Sequence, residues 1–160
     1  MGTFRHALFL IVAFVLQTTW IHLFEISALQ PDLVILVLVY IGITAGRTEA
    51  TLLGFVIGFF QDTYMPADLG LNAMTNSIIG FAVGYGRLRI MADDIQVQLA
   101  LVFGAVLIHD LIFYLGYSGV ALADVPLFWI RYGLGRAFYT ALLALFVAFG
   151  LILRKRFLPV

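Results

Sequence analysis

The chain has 160 residues, of which 63% are hydrophobic and 11% charged, and its mean hydropathy is +1.07. A water-soluble domain carries roughly 25% charged residues, so this composition excludes a soluble globular fold and predicts an integral membrane protein. Nine basic and nine acidic residues leave no net charge to hold DNA or RNA, and the lack of cysteine excludes disulfides, thiolate metal sites and a cysteine nucleophile.

Six long uncharged stretches follow in chain order. The first runs from Ala7 to Phe24, without an A-x-A cleavage pattern, and is read as a transmembrane helix rather than a signal peptide. Next come Leu33 to Gly46, Ala50 to Gln61, Leu69 to Gly86, Ile95 to about Tyr117, and Pro126 to Leu153. No linker or low-complexity tract separates them, so residues 1–160 are expected to form a single transmembrane domain. The second and third stretches are shorter than the roughly 20 residues that cross hydrocarbon. As a re-entrant hairpin they would carry Arg47 and Glu49 deep into lipid, at about 2.5 kcal/mol or more per charge. As two crossings they place Arg47 at an interface, with the helix ends at Asp32 and Asp62 dipping into the bundle or the bilayer thinning locally.

Six crossings put Arg5, Arg47, Arg87, Arg89, Arg154, Lys155 and Arg156 on one side, and leave the loops Glu25–Gln30, Asp62–Asp68 and Ser118–Val125 without Lys or Arg. By the positive-inside rule both termini are cytoplasmic. The aromatics Trp20, Tyr64, Tyr117 and Trp129 fall towards the outer ends, where interface anchors belong. The fold class is thus all-α: a compact bundle of six transmembrane helices.

Helix association in lipid relies on close backbone approach and interhelical hydrogen bonds, for which small residues four apart are the trace. Three G-x-x-x-G pairs occur: Gly42 with Gly46, Gly54 with Gly58, and Gly80 with Gly84. The second extends to a stripe of Ala50, Gly54, Gly58 and Asp62, the third to Asn72, Asn76, Gly80 and Gly84, each along one helix face. The short loop containing Pro66 makes these helices antiparallel, so the stripes are expected to pack directly, with Asp62 near Asn72.

Asp110, about fifteen residues into the fifth stretch, lies at a depth of ~22 Å and needs a partner there. Arg131 and Arg136, entering on the sixth, are the candidates. They point about 140° apart on an ideal helix, and Arg136, the deeper, is the expected partner, sharing a face with Tyr132 and Tyr139. Asp62, Asn72, Asn76, Asp110, Arg131 and Arg136 therefore form the expected intramembrane polar network, structural or functional. His109 neighbours Asp110 but is turned about 100° from it on the helix, and His22 offers only a second histidine at similar depth, so no metal site is expected.

No catalytic set assembles. Gly116, Tyr117, Ser118 and Gly119 spell the G-x-S-G of rhomboid proteases, but this serine closes a helix and no histidine follows it. Asp62 and Asp110 lack the context of an intramembrane aspartyl protease, and Asp93 and Asp94 read as a solvated charge run. No enzyme activity, cofactor or metal is expected.

The run Pro31, Asp32, Leu33 into an apolar helix ending near Gly46, then Gly54, Gly58, Gln61 and Asp62, then Leu69, Gly70, Leu71, Asn72 and Ala73, resembles the rod shape-determining MreD family. The likeness is carried by Pro31 to Gly84. It implies a multi-pass protein of the bacterial inner membrane that acts as a scaffold in cell elongation and peptidoglycan synthesis. The implied partners are MreC, bound directly in the membrane, and, in a larger complex, RodA, a penicillin-binding transpeptidase and MreB. The resemblance carries no catalytic residues. It also implies a fold like that of the S components of energy-coupling-factor vitamin transporters, and a substrate-binding S component is the alternative function. Against it, the first helix lacks the A-x-x-x-A contact motif: Ala7 is followed four residues later by Ile11, and Ala13 by Gln17.

Overall fold

A computed structural model describes residues 2–19, 29–86 and 94–157, with side chains through residue 150. The expectations for Trp20, His22, Glu25, Arg87, Arg89 and Asp93, and for the side chains of Arg154, Lys155 and Arg156, lie outside the described residues. The elements are α1 (Gly2–Thr19), α2 (Leu33–Ala45), α3 (Arg47–Asp62), a 3-10 turn (Pro66–Asp68), α4 (Leu71–Gly86), α5 (Ile95–Gly116), α6 (Val125–Phe128), a π-helical turn (Trp129–Gly133) and α7 (Leu134–Phe157). With α6, the π turn and α7 running on as one rod, the described residues form six rods and no sheet.

Three rods are long and apolar enough to cross a membrane: Gly2–Thr19, Ile95–Gly116 and Val125–Gly150. The central helices are shorter. At 1.5 Å per residue the 13 residues of α2 rise ~20 Å and the 16 of α3 or α4 ~24 Å, against about 30 Å of hydrocarbon. Their Asp-bearing ends are enclosed by neighbouring rods, Asp32 being 1% and Asp62 0% exposed.

The helix boundaries follow from the polar partners at each end. α1 starts at Gly2, five residues before the expected Ala7, because His6 turns inward on the stripe of Leu10 and Ala13 and meets Glu49 at 2.7 Å (Nδ1 to Oε1). α3 likewise begins at Arg47 rather than Ala50, taking Glu49 into its first turn. Gly46 breaks α2 from α3 with φ 96°, and Gly70 sets the entry to α4 with φ 97°, both in the left-handed region that favours glycine. Asp94 caps α5, accepting from the Gln96 N–H at 2.8 Å.

α2 is apolar on every side and sits at the centre, burying Val34, Ile35, Leu38, Val39 and Ile41, as a helix without a polar face should. α1, α3, α4, α5 and α7 all touch it. Its neighbours bury one stripe each, such as Val102, Ala105, Val106, His109 and Asp110 on α5. Their other faces show large apolar side chains, including Phe55 and Phe59 on α3 and Phe138, Phe146 and Phe149 on α7.

The sixth rod departs from an ideal helix. In the π turn the Leu134 N–H reaches back five residues to the Trp129 carbonyl. The indole of Trp129 donates across to the Leu107 carbonyl of α5 at 2.8 Å. An extra residue in the turn changes the angular offset along the rod, so the 140° separation expected between Arg131 and Arg136 does not hold across this stretch.

Candidate functional site

Two polar clusters lie at the end of the bundle remote from the chain termini. The first is the junction of α3 and α4. Asp62, the last residue of α3, reaches over the first turn of α4, where backbone N–H groups have no partner within their own helix. Its Oδ1 accepts from the Asn72 backbone N–H and the Asn72 side-chain amide, both at 2.9 Å, and its Oδ2 from the Gly70 and Ala73 N–H groups, both at 3.0 Å. One carboxylate thus caps the neighbouring helix, with its charge against the positive end of the α4 dipole. Asn76 sits one turn deeper and donates to the Gln61 side-chain oxygen at 2.7 Å.

Below this junction the small-residue stripes meet face to face. A methyl group on Gly58 would lie 2.5 Å from the Asn72 carbonyl oxygen, one on Gly54 2.7 Å from that of Asn76, and one on Gly80 2.5 Å from that of Ala50. Gly84 meets the Arg47 backbone in the same way, next to Gly46. Gly42 faces α4 from α2, with a methyl there 2.9 Å from Val83 Cγ1. The contacts are reciprocal: glycines of α3 lie on asparagine backbone of α4, and glycines of α4 lie on the first turn of α3.

The second cluster centres on Arg136 of α7. Its Nη1 donates to Asp110 Oδ1 at 3.1 Å, and its Nη2 to Asp32 Oδ2. Asp32 was expected only as a helix end dipping into the bundle. Here it does two things, since its Oδ1 also caps α2 by accepting from the Ile35 N–H at 2.9 Å. Around it, the Asp32 N–H donates to Thr140 Oγ1 at 2.9 Å and the Val34 N–H to Gln17 Oε1 at 3.1 Å. The N-terminus of α2 is thereby satisfied by α1 and α7 as well as by its own cap. Arg131, by contrast, is exposed, its guanidinium 5.4 Å from the Tyr132 ring centre.

His109, next to Asp110 on α5, brings its Nδ1 to 3.1 Å from Asp110 Oδ1. It stacks on Phe113 at 6.1 Å. Among the described residues no group of three or more His, Cys, Asp or Glu is placed to hold a metal.

Between the clusters lies a cavity of about 310 Å³ bordered by Phe14, Gln17, Asp32, Gln61, Asn72, His109 and Arg136, among others. A second, of about 350 Å³, opens on the other side of Arg136 and includes Tyr114 and Tyr132. Sequence reasoning missed Asp32 as the second acid on Arg136, and it missed the supporting Gln17, Gln61 and Thr140. The Pro-Asp pair before an apolar run is a capping signature, but nothing in it tells of an arginine 104 positions away. The two clusters cap helices and join rods.

Compared with known families, residues 2–158 match the profile of the family described as rod shape-determining protein MreD. No curated protein and no solved structure matches the chain.

Proposed function

The chain belongs to the MreD family, whose members take part in determining rod shape, and from that premise we propose that it is a non-enzymatic scaffold of the bacterial inner membrane. In this reading it binds MreC directly, helix against helix, and so supports the peptidoglycan synthesis of RodA and its penicillin-binding transpeptidase in a complex that includes MreB. Both termini lie in the cytoplasm, and the cluster around Arg136 faces the outer leaflet.

The observation that carries this reading is how the polar groups are used. Asp62, Asp32 and Arg136 are engaged in capping helices and joining rods, while the outward faces of α3 and α7 are left apolar and aromatic. Such a molecule offers contact surface within lipid. The 310 Å³ cavity with its polar border favours one second reading, a substrate-binding S component of a vitamin transporter.

Affinity purification of the tagged full chain from its native membrane, followed by identification of co-eluting proteins, tests the proposal. Recovery of MreC is the expected result. Recovery of ATPases with a bound vitamin, and no MreC, would favour the second reading instead.

A further inference from the structure

Gln17 and Arg136 border both cavities, and each has hydrogen-bonding groups to spare there. A guanidinium carries five N–H donors. Arg136 gives one from Nη1 to Asp110 and one from Nη2 to Asp32, which leaves three among the described residues, on a side chain that is 28% exposed. The Val34 N–H can only donate, so the Gln17 oxygen faces it and the Gln17 NH2 group is the end left to donate elsewhere. Asp32 borders the first cavity and supplies an acceptor beside these donors. Each of its carboxylate oxygens takes one hydrogen bond, from the Ile35 N–H and from Arg136, out of about four that a carboxylate accepts in all. Charge, by contrast, is already matched. Asp32 and Asp110 flank the one guanidinium, so with or without a proton on His109 the cations of this cluster do not outnumber its acids.

We propose that the space around Arg136 binds an uncharged polyhydroxyl group, a sugar ring, whose oxygens accept from Arg136 and Gln17 and one of whose hydroxyls donates to Asp32. An anion would meet two carboxylates with no surplus of positive charge to offset its desolvation. A cationic amine would bring N–H donors to face the N–H donors of Arg136 and Gln17. A hydroxyl both donates and accepts, and adjacent hydroxyls on one ring match a guanidinium set beside a carboxylate. Phe14 and Phe113 border the first cavity, Tyr114 and Tyr132 the second. Their rings offer negative π faces to the C–H bonds of a sugar. At about 310 and 350 Å³ each cavity falls within the range of small-ligand sites, about 300 to 1,000 Å³. A free hexose and the headgroup of a glycolipid share this chemistry. Such binding requires neither a protein partner nor a transport ATPase, so its failure would leave the scaffold reading standing, and the failure of that reading would leave sugar binding standing.

The test uses the purified full chain in lauryldimethylamine oxide, a detergent with no sugar headgroup to compete. Equilibrium dialysis compares radiolabelled glucose and galactose with glucose 6-phosphate and glucosamine, which keep the ring and add a negative or a positive charge. Native mass spectrometry compares retention of monoglucosyl diacylglycerol with that of diacylglycerol and phosphatidylglycerol of identical acyl chains. The expected result is at least tenfold preference for the neutral sugar in one or both arms. Preference in the dialysis arm assigns the site to a soluble sugar, preference in the lipid arm alone to a glycolipid headgroup, and either supports the shared chemistry. Gln17→Glu keeps an oxygen for the Val34 N–H but replaces the donating NH2, and should lower sugar binding at least tenfold while the thermal transition without sugar persists. If that variant does not fold, Phe14→Leu, which removes a ring face and no hydrogen bond, should lower it instead. Absence of binding in both arms, a preference for glucose 6-phosphate or phosphatidylglycerol, or a sugar preference that survives both variants overturns the proposal.

Discussion

Arg136 is the residue on which the non-local structure turns, because it joins α7 to α5 through Asp110 and to the start of α2 through Asp32. Having two acids on one base changes what a substitution does. Asp110→Asn leaves Arg136 paired to Asp32, so its thermal transition in detergent should fall by only a few degrees. Arg136→Met strands two buried carboxylates, and loss of one partner of a buried pair costs about 3 to 5 kcal/mol, so folded yield should drop sharply. Replacing Asp110 and Arg136 together with apolar residues should not restore that yield, since Asp32 stays behind unpaired; full recovery in the double variant would show that Asp32 contributes nothing. The Asp110–Arg136 pairing was legible from depth alone, because both residues sit in long apolar rods with countable rises. The part of Asp32 was not, because its capping role already accounts for an aspartate at that position. Asp62 shows the same economy at the α3–α4 junction. Asp62→Asn can accept from only some of the four donors that now face it, and a loss of about 1 to 3 kcal/mol in unfolding free energy is expected.

Helices α3 and α4 illustrate how packing in lipid is written at intervals of four. Gly58→Ala forces a methyl group to within 2.6 Å of the Ala73 backbone as well as against the Asn72 carbonyl. Backbone cannot rotate aside as a side chain would, so the rods must separate, at a cost of about 1 to 3 kcal/mol. Gly104→Ala is the control, since nothing lies within 4 Å of that position. A thermal shift as large for position 104 as for position 58 would remove the close-packing account. Gly70→Ala isolates a different effect: open space surrounds it, but its φ of 97° is strained for a side chain, which predicts a loss of about 1 to 2 kcal/mol. The stripes, the antiparallel turn at Pro66 and the number of rods were all readable from periodicity and charge. The π turn was not, because no residue type demands it; it arises where Trp129 reaches the Leu107 carbonyl of the neighbouring rod. The early start of α1 was hidden similarly, since Arg5 and His6 look like a flank until Glu49 is placed beside them.

At the scale of the whole molecule, a buried apolar helix is ringed by rods that bury one stripe each and turn aromatic faces outward. Composition foretold the membrane setting, and the ordered residues between Pro31 and Gly84 foretold the family, which the match over residues 2–158 extends to nearly the full chain. The extent of the enclosed ends was not foretold, because hydropathy measures the length of a run and not what surrounds its tip. We propose that α2, α3 and α4 each cross the membrane despite rising less than its thickness. Because the chain has no cysteine of its own, single cysteines introduced at Thr44, Tyr64 and Ser118 report without background when intact cells are treated with a membrane-impermeant thiol reagent. Labelling is expected at positions 64 and 118 in intact cells, and at position 44 only after the membrane is opened. Labelling of positions 44 and 64 from the same side would mean that α3 does not cross.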